Sequence, residues 1–324
     1  MFSRLRRPVG RLGDLPIWSK LGLIMIVPTI ATIIVGTIGL VDHIETSNNA
    51  DRARTLSKLS KDVGSLVHEL QDERAAAALL LSTPPAQIEA AIDAYRKRFE
   101  STDRAEKTYA LRRTGLADLP PTFNALLRRL DNQSSALPAL RERVASRKGV
   151  TLTDTVFFYR VLIDDLLAIR DSSAQLASEP SLSDRMRAVA AVSNMKEFLS
   201  QERVVIIRAL GEGSFPPSRE LEFVKALSGH EQALQRFNGL GTAEERARFD
   251  QEVAGEGLRL AKKYEGEVES GLNGRGLDGV SFNAADWDAA LQERGNLLRK
   301  VEERMDTVMA VSYTHLTLPT IYSV

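Results

Sequence analysis

The chain has 324 residues, in which 43 Lys and Arg balance 43 Asp and Glu, with 43% hydrophobic residues and no cysteine, enough for one large or two ordinary domains. The balance speaks against disorder, a collagen-like repeat and a polybasic nucleic-acid arm, so no nucleic-acid partner is expected. Without cysteine there is no disulfide, thiolate nucleophile or thiolate metal site, and the four histidines (His43, His68, His230, His315) are never spaced i, i+3 or i, i+4, which leaves out the common zinc patterns.

Residues 1–20 are basic, with Arg4, Arg6, Arg7, Arg11 and Lys20 against Asp14. Residues 21–41 follow without a single charge, long enough for one membrane span, which takes roughly 20 apolar residues. Because positive charge stays inside, the N-terminus is expected in the cytoplasm and residues 42–311 outside a bacterial cell membrane. The apolar run is longer than a signal-peptide core and no A-x-A-like site follows it, so the segment reads as an uncleaved anchor.

Beyond the anchor, apolar residues recur every three or four positions between breaks of Pro or Gly, the signature of an all-α fold. Helices are expected at 47–81, 88–113, 122–147, 154–176, 183–210, 219–237, 244–268 and 286–309. Pro84-Pro85, Pro120-Pro121 and Pro216-Pro217 are firm stops, and Pro138 should kink or split the third helix. Eight helices suit two four-helix bundles, with a boundary near 180. A repeat supports this: Leu70-Gln71-Asp72-Glu73-Arg74 recurs as Leu199-Ser200-Gln201-Glu202-Arg203, each copy followed by a double proline.

Arg74, Arg203 and Arg294 stand on apolar helix stripes, where a guanidinium must find a partner. One reading pairs them with carboxylates such as Asp154, Asp164 or Asp165. The other is an anion site, because opposed guanidinium forks suit a small planar oxyanion such as nitrate or nitrite. Gly274-Arg275-Gly276-Leu277-Asp278-Gly279 spells G-x-G-x-x-G, but no strand precedes it, and a loop is expected. No catalytic motif is present, so no active site and no cofactor are expected in this chain. After Val311 the composition shifts to an uncharged, β-branched run, and residues 312–324 look like a translated adapter ending a fragment of a longer protein.

At these residues the chain resembles the nitrate- and nitrite-sensing (NIT) domain of bacterial receptors and actinobacterial sensor histidine kinases. The matching pieces are Leu70-Gln71-Asp72-Glu73-Arg74, Gln201-Glu202-Arg203, Trp287 followed by Arg294, and Val301-Glu302, in order across roughly residues 45–305. Ala75-Ala76-Ala77-Ala78-Leu79 departs from the Gly and Ser common in the family, leaving fewer hydroxyl donors there. The resemblance implies two four-helix bundles that bind nitrate, nitrite or another small anion through Arg74, Arg203 and Arg294. It also implies a dimeric membrane receptor with a second span and a cytoplasmic histidine kinase outside this chain, which would use ATP and signal to a response regulator. The rival expectation is a dimerising helical receptor domain that reads a protein partner or another ligand.

Overall fold

Heptad-like apolar spacing broken by proline pairs produces a wholly helical chain among the described residues. The computed structural model describes residues 17–315 apart from 115, 117, 118 and 178, with side chains from 51 to 311 and Trp18. Two compact units divide at residue 51, and the second holds the arginines singled out above. The helices are α1 (Ile17–Ser82), α2 (Ile88–Arg113), α3 (Pro121–Ser134), α4 (Leu137–Ser146), α5 (Leu152–Leu176), α6 (Pro180–Glu212), α7 (Pro217–Leu240), α8 (Ala243–Glu252), α9 (Glu256–Ser270) and α10 (Ala284–His315). The side chains of 21–41 lie outside the described residues; among those described, no helix is long and apolar enough to cross a membrane.

Proline sets most boundaries. Pro121, Pro180 and Pro217 each open a helix at its first turn, where the missing N–H would have had no partner. The segment expected as one helix at 122–147 is two, α3 and α4, divided just before Pro138. The expectation of one helix at 244–268 is corrected: Val253 and Gly255 separate α8 from α9, and Gly255 has φ +101°, which side chains rarely adopt. Thr242 and Glu245 form a capping box that starts α8, satisfying two otherwise orphaned N–H groups. The helix at the C-terminal end runs to His315 rather than stopping near 309, and residues 316–324 lie outside the described residues.

Two hydrophobic clusters form the interior. The first joins Leu59, Val63 and Leu70 of α1 to Tyr95 of α2, Phe123 and Leu127 of α3, Leu140 of α4 and Tyr159 of α5. The second joins Met195 and Ile206 of α6 to Phe223 and Phe237 of α7, Phe249 of α8, Val268 of α9 and Trp287 and Leu298 of α10. Each buried leucine or phenylalanine contributes about 1.5–3 kcal/mol. The G-x-G-x-x-G run lies in the loop between α9 and α10, where the Asn273 and Gly274 amides donate to the Glu220 carboxylate at 3.2 and 2.8 Å.

Candidate functional site

The two copies of the repeated motif face each other where α1 meets α6. Arg74, almost fully buried, donates to both Glu197 carboxylate oxygens at 2.9 and 3.0 Å and to the Ser200 hydroxyl at 2.7 Å. Gln71 donates to Glu197 at 3.0 Å. In return, Arg203 reaches Asp72 of the first copy at 2.7 Å and Asp288 of α10 at 2.5 Å. Asp72 is held down to about 2: burial works against this, but Arg203, His68 and Arg98 outweigh it. Carboxylates thus do pair these arginines, but from other helices than expected; Asp165 pairs with Arg129, and Asp164 with Arg160 on its own helix.

The two arginines open onto different cavities. Arg74 lines one of about 350 Å³ between α5, α6 and α7, with Thr153, Arg160, Gln201, Arg208, Glu222 and Lys225 among its walls. Four of its lining residues are cations and one is an anion. Arg203 lines another, of about 430 Å³, against α1, α2 and α10, with Asp72, Lys97, Arg98 and Asp288. The cavities are counterparts. Asp72, Ala76, Leu79 and Ala285 line the second, and Gln201, Val205, Arg208 and Val156 line the first, each pair separated along the chain by the same interval as Arg74 and Arg203.

Their electrostatics differ. In the Arg74 cavity, the Nε atoms of Arg74 and Arg208 are both buried without an acceptor. Arg208 otherwise makes only long bonds, to Glu222 at 3.3 Å and Thr153 at 3.2 Å. Burial, then the neighbouring charge of Arg219, lowers its hold on a proton, which marks a cation short of negative partners. Arg203 shows the reverse: burial pulls it down, yet Asp288 and Asp72 prevail and raise it. A buried donor left unpaired costs about 1–3 kcal/mol; Arg74 has one carboxylate partner and an Nε–H without an acceptor, whereas Arg203 has two carboxylates, one of them on its Nε. At roughly 30 Å³ per water, the Arg74 cavity has room for a hydrated ion, so donor geometry rather than a tight fit would select it.

Arg294 shares no partner with these two. It pairs with Glu265 of α9 and donates to Nε2 of His230 at 2.9 Å, while Nδ1 of His230 lies 3.1 Å from the Met195 carbonyl. This arrangement assigns the proton to Nδ1 and keeps the ring neutral; burial, then Arg294, lowers its pKa to about 3. Beside it, Glu202 is fully buried and no donor reaches either of its oxygens. Burial, followed by the charge of Glu265, raises its pKa well above the usual range.

Sequence patterning did not reveal a further polar centre. Glu302 of α10 accepts from Arg170 of α5 at 3.2 Å, Ser193 and Lys196 of α6 at 2.5 and 2.8 Å, and Arg299 at 2.7 Å. Arg170 also grips Asp306 at 2.9 Å through both carboxylate oxygens. Arg299 donates to Ser65 of α1 at 2.6 Å. The available signal was Lys196 among Val189, Val192 and Leu199 at helical spacing. Among the described residues no group of His, Asp and Glu could hold a metal ion.

Residues 65–310 match the model of a family described as nitrate and nitrite sensing. The fold is similar to the solved structure of the NasR transcription antiterminator, with a TM-score of 0.77 and 19% identity over 89% of this chain and 76% of that one. No curated protein matches the chain in sequence.

Proposed function

The chain belongs to the nitrate- and nitrite-sensing family, and from that premise we propose that it is the ligand-binding part of a membrane-anchored receptor that takes one such oxyanion into the Arg74 cavity. The carrying observation is that Arg74 and Arg208, each with an acceptorless Nε–H, line one cavity together with Arg160, Lys225 and a single carboxylate, Glu222. Nitrate and nitrite are small, flat and singly charged, and their oxygens suit donors held in the fixed plane of a guanidinium. Gln201, from the second motif copy, adds an amide donor to the same wall. The ligand would then touch α5, α6 and α7 together with Arg74 of α1. Arg203 and Arg294 act in this reading as paired supports of the surrounding helices.

The charge-free run at 21–41 behind a basic N-terminus supports anchoring, with residues 42 onward outside the bacterial cell membrane. Ligand binding would shift α1 against α6 and α10 by about 1–2 Å, a displacement common at helix interfaces that switch, and signal to a histidine kinase in a longer, dimeric parent protein. Binding can move that equilibrium only by its differential affinity for the two states. A second reading, a dimerising helical module that reads a protein partner, is favoured by the carboxylates that already saturate Arg203.

Thermal unfolding of the full chain in detergent separates the two. At constant ionic strength, nitrate or nitrite at 100 times its dissociation constant should stabilise the protein by about 2.7 kcal/mol, with chloride and sulfate far weaker. Arg208→Gln, which spares the Arg74–Glu197 pair, should remove the response. An equal response to all four anions, or none, would overturn the proposal in favour of the partner-reading module.

A further inference from the structure

We propose that the fold carries a second oxyanion site, centred on Arg203, and that the carboxylate of Asp288 occupies it permanently in place of a free ion. The inference rests on the oxyanion reading of the Arg74 cavity and extends it through the internal duplication. Arg74 and Arg203 stand at the same position of the repeated motif, and the cavities they line are built from helix positions that correspond under the same repeat. In the first, Nε of Arg74 has no acceptor. In the second, Nε of Arg203 donates to Asp288 at 2.5 Å, and the Asp288 side chain is mostly buried.

Each arginine has one carboxylate on its terminal nitrogens, Glu197 for Arg74 and Asp72 for Arg203, and the difference at Nε traces to one residue. Under the interval that relates Arg74 to Arg203, the counterpart of Asp288 is Tyr159. Tyr159 carries no charge and turns its hydroxyl into the first core, 2.6 Å from Glu73 and 2.9 Å from the Tyr95 hydroxyl. Asp288 therefore has no equivalent on α5 to cover Arg74 as it covers Arg203. A carboxylate is a planar pair of oxygens with one negative charge, the nearest side-chain likeness to nitrite. Tethered to α10, it meets Arg203 at an effective concentration that a dilute ion cannot match. The duplicated domain consequently reads one anion per chain, while its second site locks α10 to α6 whatever the surroundings contain.

Removing the tether should reopen the site. Full chain in detergent, titrated calorimetrically with sodium nitrate at constant ionic strength, should take up one ion as wild type and two as Asp288→Ala. Asp288→Ala combined with Arg203→Gln should return to one. Asp288→Asn, which keeps the shape and loses the charge, guards against loss of folding and should also gain an ion. If either single variant unfolds early, nitrate or formate should restore its melting temperature while leaving an Asp288-intact protein with Arg208→Gln unmoved. The gain of one ion over wild type is the decisive quantity. Wild type binding none and the variant binding one would sink the Arg74 reading and sustain this one. Folded Asp288 variants with no added ion and no rescue would overturn it.

Discussion

Glu202 and Glu302 are both fully buried, yet their surroundings drive them in opposite directions. Burial would raise Glu302, but Lys196, Arg170 and Arg299 hold it well below the ordinary range. Its stabilisation is therefore present above the unfolded value of about 4.3 and fades as pH falls through the folded one. Glu302→Gln would leave Lys196 without its carboxylate and take one of two from Arg170 and Arg299, and should cost about 3–5 kcal/mol in urea unfolding at neutral pH. Glu202 keeps in the folded state a proton that the unfolded chain gives up above about pH 4.3, so stability falls by about 1.4 kcal/mol per pH unit between that point and its raised folded value. Glu202→Gln should gain stability on wild type as pH rises above about 4.3; parallel curves would refute the assignment. At this scale the sequence showed that Arg74 and Arg203 needed partners, because their apolar stripes bury them. Which partners they take was illegible, since Glu197 and Asp288 become neighbours only through helix packing and no local spacing encodes that.

Helix α2 coincides with its expected bounds, and the proline pairs end or open helices where their missing N–H groups require. The break between α8 and α9 was overlooked because apolar periodicity runs across it, although Gly255 and Gly257 stood there as a signal. Gly255→Ala would place a side chain at φ +101° and should cost about 1–3 kcal/mol, measurable as a lower urea midpoint. Gly229 marks the opposite case, a glycine inside a continuous helix. A methyl group there would lie 2.3 Å from the Phe198 ring of α6. Helix propensity favours alanine by about 1 kcal/mol, but forced overpacking costs about 1–3 kcal/mol, so Gly229→Ala should lower the denaturation midpoint. A raised midpoint would show that Phe198 yields easily and that α7 is not held at its distance from α6 by this contact.

For the whole second unit, the repeat aligned Arg74 with Arg203 in the sequence, whereas the divergence around them was not legible: Asp288 and Tyr159 are each ordinary helix residues until their contacts are compared. Buried charges lie between helices of the two hydrophobic clusters, with Arg74–Glu197, Arg203–Asp72 and the Glu302 centre tying α1, α5, α6 and α10 together, while Leu176 packs against both clusters. Melting of wild type followed by calorimetry should give one transition, because neither cluster can open without stranding those charges. Glu302→Gln should broaden or divide it, and an unchanged single peak would mean that apolar contacts suffice to couple the halves. Arg170 gives this seam a directional character. It grips Glu302 and Asp306 at once, carboxylates four residues and so about 6 Å apart along α10. A slide of α10 along its own axis strains both grips at once, together with the bonds that Glu302 accepts from Ser193 and Lys196 of α6. The buried charges thus act as a detent that fixes the height of the helix.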